Sequence, residues 1–295
     1  MALTSPGVIK AANDVLVQLK PEITMVRAFS YDVSDAAADF GGKVRVAMIS
    51  GGSAENYGDD NCSDTNTGNY EHETHGLGDC FVTLSAQPKA TIKITSKDKL
   101  ELPNDSFWTR AAETGRDAVG GAISKEICGL FTAANCTAGK ITMATVTKNA
   151  VAKLRTNAAT KGRVGDYVLL LAGDYFADLI SLLDSNVFGG TDPIQTGAVD
   201  RLYGFRSVLC ANDLPDGIKG ALVPASGVAV AVRPVAIPDP DAYPECGVVT
   251  DEATGFSLTA MRHTSFQTGK AFFNVTGLVG AELTNKANVF YIAAS

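Results

Sequence analysis

Charged residues are scarce in this sequence. Asp, Glu, Lys and Arg make up 19% of its 295 residues, whereas a globular protein usually carries about 25%. The formal net charge of −7 argues against a dedicated nucleic-acid binder, because such proteins concentrate basic residues on one face. A low charge content is typical of a subunit whose surface is largely interface, since charged residues are depleted at interface centres.

Long apolar runs are also absent. The most apolar stretch, 221–237, is interrupted by Pro224, Arg233 and Pro234, and a membrane-spanning helix needs about 20 apolar residues. We therefore expect no membrane contact. Residues 1–7 lack the basic start and apolar run of a signal peptide, so the six cysteines are expected to be free thiols in a reducing compartment.

Sequence motifs of catalysis are missing. The three histidines leave few general bases, and no Gly-x-Ser-x-Gly nucleophile elbow occurs. Gly269-Lys270 is followed by Ala271 rather than by the Ser or Thr of a phosphate-binding loop. The sequence therefore predicts a protein that is not an enzyme and that needs no cofactor.

A long β-hairpin is predicted over residues 43–97. Basic and apolar residues alternate over 43–48, and the alternation returns over 89–97, which is the period of a half-buried strand. The tip, 51–79, is rich in glycine and acidic residues and contains no Lys or Arg. An isolated two-stranded hairpin is only marginally stable in water, and a loop this long is functional or disordered. We therefore expect a second copy of the chain to hold it.

The hairpin lies between an arm and a helix in the predicted order. Residues 1–42 are expected to form an extended arm with one short helical patch that Pro21 interrupts. A long helix is predicted over 105–130, because apolar residues recur there at spacings of three and four. Its many Gly and Ala residues keep this helix thin, which favours close packing against a sheet.

A mixed α/β region follows over 144–250. It is predicted to contain a helix that begins near 145–147, a buried strand at 167–171, and a helix that Asp174 caps. The C-terminal part of the chain, 251–295, is predicted to return as strands.

Charge complementarity indicates where the acidic tip binds. On a neighbouring copy its carboxylates would find basic residues on the long helix or on the arm. The acidic contact residues of this hypothesis are Glu55, Asp59, Asp60, Asp64, Glu71 and Glu73. The basic ones are Arg110, Arg116 and Lys125 on the helix, or Lys10, Lys20 and Arg27 on the arm.

One group of residues on the tip has metal-binding chemistry. Cys62, His72, His75 and Cys80 are of the types that bind zinc, but their spacing matches no standard zinc site. A Cys62–Cys80 disulfide that closes the tip is a second possibility, and it would stabilise the fold by roughly 3 kcal/mol in the chain-entropy model. The simplest interpretation is that these are loop residues with free thiols and no metal.

Three sequence motifs occur in the α/β region: KNAVAKLR at 148–155, GDYVLLLAGDYF at 165–176 and LYGFRSV at 202–208. These motifs and the order of the parts resemble the major capsid proteins of tailed double-stranded-DNA phages, which have the Hong Kong phage type fold. The resemblance covers nearly the whole chain.

The resemblance implies an α+β capsid fold with four parts. Residues 1–42 would be the N-terminal arm and 43–98 the extended β-hairpin loop. Residues 99–140 and 251–295 would form the peripheral domain with its spine helix, and 141–250 the α/β axial domain.

The resemblance also implies a function and partners. The chain would be a major capsid protein that assembles into pentamers and hexamers of an icosahedral phage head enclosing double-stranded DNA. It would contact that DNA non-specifically and would need a scaffolding protein and a portal. It would be found in the virion, after assembly in the host cytoplasm.

Two other functions remain open at this point. An encapsulin-like nanocompartment shell has the same fold but encloses protein cargo. A monomeric β-rich module that binds a metal or another ligand with the 50–80 region belongs to a different class.

Overall fold

Five helices and fifteen strands in four sheets make up the described part of the protein. The computed structural model describes residues 6–49, 77–94, 105–182, 198–200, 202–237, 245–252, 255–265 and 270–294. Helices and strands together confirm the predicted α+β class. Among the described residues, no helix combines the length and the apolar character that crossing a membrane requires.

The elements have the following bounds. The helices are α1 (Pro6–Gln18), α2 (Lys20–Ala28), α3 (Asp105–Cys128), α4 (Lys148–Lys161) and α5 (Gly173–Ser181). The first strands are β1 (Ser30–Val33), β2 (Lys43–Ile49), β3 (Leu77–Thr83), β4 (Lys89–Ile94), β5 (Gly139–Thr142), β6 (Tyr167–Leu171), β7 (Ala198–Asp200) and β8 (Ser207–Cys210). The last are β9 (Ile218–Pro224), β10 (Val228–Arg233), β11 (Glu245–Thr250), β12 (Ser257–Thr264), β13 (Ala271–Thr276), β14 (Leu278–Leu283) and β15 (Phe290–Ala293).

A six-stranded sheet organises the α/β region. Its strand order is β5-β15-β9-β6-β8-β7, and all five residues of β6 are buried, as predicted. Helix α4 begins after Thr147, whose hydroxyl accepts a hydrogen bond from the Ala150 amide at 3.1 Å. It buries Val151, Leu154 and Ala158 against one face of the sheet. This helix start and its buried stripe confirm the prediction, because the capping residue and the spacing are both local signals.

Asp174 is not the cap of α5, and that prediction was wrong. The N-cap position is Ala172. Asp174 lies in the first turn, where its Oδ1 accepts a hydrogen bond from the Tyr175 amide at 2.9 Å and its Oδ2 lies 2.7 Å from Lys219 Nζ. An acidic side chain in the first turn still interacts favourably with the positive end of the helix dipole. The hydrogen bond from Lys219 lowers the pKa of this carboxyl.

The N-terminal segment is helical and buried, so the prediction of an extended arm was wrong. Ala11, Ala12, Val15 and Leu16 of α1 are at most 2% exposed. Pro21 does not end the apolar pattern, because it lies in the first turn of α2, where a missing amide hydrogen costs nothing. The two short helices therefore follow one another and bury a shared apolar face.

Helix α3 is the spine that these helices cover. Its 24 residues span about 36 Å, and it ends at Cys128, two residues before the predicted end. Helix α1 and strands β4 and β14 pack on α3. The packing of α1 is close, because a Cβ added at Gly115 would lie 2.7 Å from Val15 Cγ2. Val119, Ile123 and Ile127 are fully buried on the same helix.

The predicted 43–97 hairpin is divided between two sheets. Strands β2 and β3 form an antiparallel pair from Lys43 opposite Thr83 to Ile49 opposite Leu77, whereas β4 pairs with β13 at the edge of the sheet β11-β12-β13-β4. The single-hairpin interpretation was therefore wrong beyond β3. The chain changes sheets at Ala86, which exchanges two backbone hydrogen bonds with Val279 of β14 at 3.0 and 2.9 Å.

The inner face of the β2–β3 pair is packed on the sheet β1-β10-β14. Valines 228, 230 and 232 of β10 point into the main core, and Ala229 and Ala231 point towards the hairpin. Val46, Val82 and Leu84 of the hairpin are fully buried against these alanines and Leu278. The apolar stretch that contains β10 is therefore a strand buried on both faces.

The close approach of β14 to β3 predicts a sensitive glycine. A Cβ added at Gly280 would lie 2.2 Å from the Thr83 carbonyl oxygen, so Gly280→Ala must push the backbones apart. Overpacking of this kind costs about 1–3 kcal/mol, and we expect the free energy of unfolding in urea to fall by that amount.

Gly121→Ala is the matched control for this experiment. Nothing lies within 4 Å of a Cβ added at Gly121, and Ala in a helix interior is more stable than Gly by about 1 kcal/mol. The control is expected to be as stable as the unmodified chain or more stable. Equal stability of Gly280→Ala and the unmodified chain would contradict the packing described for β14.

Candidate subunit-contact surface

The predicted acidic contacts lie outside the described residues. Glu55, Asp59, Asp60, Asp64, Glu71 and Glu73 all fall between residues 51 and 76, for which the structure gives no placement. Their pairing with basic residues of a second copy stays a prediction.

The basic residues predicted on the spine helix differ in their surroundings. Arg116 pairs with its neighbour Asp117, with Nε 2.8 Å from Oδ1, and remains 41% exposed. Lys125 is exposed in the last turn of α3. Arg110 lies in α3, but its side chain is outside the description. Because an exposed ion pair contributes about 0–1 kcal/mol, Arg116 could exchange Asp117 for another carboxylate at little cost.

The basic residues predicted on the arm lie on the two N-terminal helices. Lys10 is exposed on α1, and Arg27 is exposed in the last turn of α2. Lys20 begins α2, and its side chain is not described. The prediction put these residues on an extended arm with one short helical patch, whereas the structure places them on two helices that pack against the chain's own core.

The outer face of the hairpin carries a mixture of basic and aromatic side chains. Lys43, Arg45, Phe81 and Thr83 are exposed there, and we call these four residues the hairpin outer face. Arg45 lies directly opposite Phe81 in the strand register, so their Cβ atoms are about 5 Å apart. Phe81 is 59% exposed, although a side chain of this size usually contributes strongly to a core or an interface.

A second exposed phenylalanine lies in the chain that enters this hairpin. Phe40 is 62% exposed, in the turn that precedes β2. The turn is fixed by backbone hydrogen bonds from Gly41 to Leu84 at 3.0 Å and from Leu84 to Gly42 at 2.9 Å. The hairpin and the turn that enters it therefore each carry one large exposed aromatic side chain.

Among the described residues, β2 and β3 pair with each other and with no third strand. A strand of a partner could therefore extend this two-stranded sheet at an edge. Edges and outer face together make the β2–β3 pair the best candidate contact surface of the described chain.

This aromatic surface was not predicted from the sequence. The alternation over 43–48 identified the first strand of the hairpin, and the predicted contacts were all charged residues, on the tip, the long helix and the arm. The signal was present, because Phe81 shares the outward register of β3 with Thr83. An aromatic residue in the polar register of a strand indicates a covered outer face.

Cys80 is the described member of the predicted metal or disulfide group. It lies on β3, is half-buried and forms no disulfide with another described cysteine. Burial, and to a smaller extent the charge of Glu282, raises its pKa. Cys62, His72 and His75 lie outside the described residues, so zinc binding and the Cys62–Cys80 disulfide remain untested. Among the described residues, no three His, Cys, Asp or Glu side chains converge as metal ligands.

Thiol reactivity tests whether Cys80 is free or forms the predicted disulfide with Cys62. Burial raises the pKa of Cys128 to about 12 and that of Cys136 to about 11, so both are almost fully protonated at pH 8 and should resist iodoacetamide. Half-buried Cys80 and Cys210 should react slowly, because the thiolate is the nucleophile. Mass spectrometry of alkylated peptides gives each rate, and unfolding in urea without reductant is the control that should expose all these thiols. A Cys80 that reacts only after reduction would instead establish the disulfide.

Comparisons with known proteins give a fold but no sequence family. No protein-family model matches the chain, and no curated protein shows a significant sequence match. A virus-like particle from Pyrococcus furiosus superposes with a TM-score of 0.54 at 11% identity, over 96% of this chain and 97% of that one.

Two capsid structures of a GTA particle match in the same way. The empty particle gives a TM-score of 0.50 at 14% identity, over 93% of this chain and 89% of that one. The native particle gives 0.50 at 15% identity, over 93% and 90%. The chain therefore has the fold of the subunits that form capsids and virus-like particles, which confirms the predicted fold.

Proposed function

We propose that this chain is a major capsid protein whose copies assemble into a closed shell. The observation that carries the proposal is the hairpin outer face: an exposed aromatic and basic surface on a strand pair that no third described strand joins, in a chain whose fold matches a virus-like particle over 96% of its length. Its work in this proposal is structural rather than catalytic.

The geometry supports assembly through two different patches on each subunit. The hairpin of one subunit lies on the body of the next, and the next subunit offers its own hairpin in turn. Head-to-tail contacts of this kind close into rings when the rotation between subunits allows it. Pentamers and hexamers on an icosahedral lattice are the expected rings.

The parts of the subunit have separate roles in this proposal. Residues 1–42 form the arm region, 43–98 the extended loop, 99–140 with 251–295 the peripheral domain, and 141–250 the axial domain that meets its equivalents at the ring centre. Acidic residues of the tip, Glu55 to Glu73, bind Arg110, Arg116 and Lys125 of a neighbour.

The proposed partners follow from the same function. A scaffolding protein sets the shell size, a portal occupies one vertex, and packaged double-stranded DNA touches the inner surface without sequence readout. Assembly takes place in the host cytoplasm, and the mature protein is part of the virion.

Electron microscopy and size-exclusion chromatography of the expressed full-length chain test the proposal, with and without a co-expressed scaffold. We expect megadalton particles with regular outlines. A chain that stays a 30.7 kDa monomer under both conditions would contradict shell formation and would favour the binding-module alternative. Nucleic acid in particles purified from infected cells supports a phage head, whereas enclosed protein cargo would establish the nanocompartment alternative.

A substitution on the hairpin outer face should prevent assembly without unfolding the subunit. Phe81→Ser removes an exposed aromatic side chain, so we expect the free energy of unfolding to change by no more than about 0.5 kcal/mol. The yield of particles should fall at least tenfold, because aromatic residues dominate interface energetics.

Val248→Ser is the matched control for Phe81→Ser. Val248 is also an exposed apolar residue on a strand, 40% exposed on β11, but it lies outside the hairpin. Particle yield should be close to normal for this variant. Normal assembly of Phe81→Ser, or equal loss in both variants, would exclude the hairpin outer face as the specific contact.

A further inference from the structure

A pocket of about 280 Å³ lies between the end of α2 and the start of β8. It is separate from the hairpin outer face and from the tip residues of the proposed contacts. Its lining residues are Thr24, Arg27, Ala28, Arg206 and Ser207.

Ser207 brings an unsatisfied hydroxyl to this pocket. The residue is 6% exposed, and its Oγ atom is buried without a hydrogen-bond partner. Alternation along β8 puts Ser207 and Leu209 on the side of the sheet that the N-terminal helices cover, while Val208 lies on the α4 side. A buried hydroxyl without a partner destabilises a protein, so a ligand that bonds to it would be stabilising.

Two arginines line the same pocket. Arg27 and Arg206 are both exposed, and neither forms an ion pair with any described residue of the chain. None of the lining residues is acidic, although the chain as a whole carries a net charge of −7. Bringing two guanidinium groups together is unfavourable by itself, and an anion between them would reverse that.

We infer that this pocket binds a phosphate group. A guanidinium presents a planar fork of donors that fits phosphate oxygens, and rotation of the Ser207 side chain would bring its hydroxyl from its buried position to the floor of the pocket as a further donor. Donors from three side chains suit a phosphate, which offers more acceptor oxygens than a carboxylate does. Free inorganic phosphate and the phosphates of a nucleic acid share this chemistry.

Thermal unfolding and calorimetry of the full-length chain test the inference with inorganic phosphate as the probe. Ionic strength is held constant with sodium chloride, so that general screening does not change. Phosphate should raise the melting temperature with concentration, because a ligand that binds only the folded state stabilises it. Arg27→Gln and Arg206→Gln should each weaken phosphate binding by about 10-fold or more, as loss of a charged hydrogen-bond donor does.

Lys153→Gln is the matched charge control. Lys153 is exposed on α4, a helix that packs on the opposite face of the six-stranded sheet from Ser207. This variant should bind phosphate as the unmodified chain does. Equal weakening in Lys153→Gln and the two arginine variants would reduce the effect to overall charge and would overturn the site.

Ser207→Ala separates a ligand role from a structural one. Without phosphate this variant should melt at the same temperature as the unmodified chain or higher, because the unsatisfied hydroxyl is removed. With phosphate its gain in melting temperature should be smaller. An unchanged response to phosphate would show that Ser207 takes no part in binding and would overturn the proposed floor of the pocket.

Two further probes, a DNA duplex and acetate, identify the source of the phosphate group and the selectivity of the pocket for it. A short DNA duplex that binds through Arg27 and Arg206 more tightly than inorganic phosphate does would identify nucleic acid as the source, whereas binding of inorganic phosphate alone would identify the free ion. Acetate that stabilises the chain as strongly as phosphate would overturn the assignment to phosphate. Absence of any response to phosphate and DNA would overturn the pocket as an anion site.

Discussion

The fold depends on a backbone contact that leaves no room for a side chain. Gly280 of β14 lies against the Thr83 carbonyl of β3, and β14 is itself paired with β10 along its whole length. The inner residues of the hairpin close over two alanines of β10. This contact fixes the orientation of the hairpin relative to the sheet β1-β10-β14, and therefore the direction in which the hairpin outer face points.

The N-terminal helices connect this arrangement to the rest of the subunit. Helix α1 packs on the spine at Gly115, and β1 then runs parallel to β10 in the same sheet as β14. Asp32 of β1 forms an ion pair with Arg233 at the end of β10. The beginning of the chain is therefore part of the same core that supports the hairpin.

Local signals in the sequence were sufficient for some elements and insufficient for others. The helix after Thr147 and the strand 167–171 were predicted correctly because a cap, a spacing and a run of apolar residues are all visible in a short window. Pro21 was misinterpreted because a proline in the first turn of a helix looks the same in sequence as one that ends a helix. Strand β4 pairs with β13, and Arg27 and Arg206 line one pocket, although the residues concerned are about 180 positions apart in sequence. No local sequence pattern predicts contacts over such a separation.

Sheet topology also sets an order of events during synthesis. Strand β1 pairs with β10, β4 pairs with β13, and β15 lies between β5 and β9. Each sheet of three or more strands is therefore complete only after a strand from the last third of the chain has been synthesised. Pairings over such distances form slowly, and a nascent chain exposes unpaired strands until they form. A polypeptide interrupted before residue 271 would lack β13, which pairs with β4, and β14, which pairs with β10 on the side opposite β1, so two sheets could not be completed. Such a truncated chain would also lack the surface of β14 on which the β2–β3 hairpin packs.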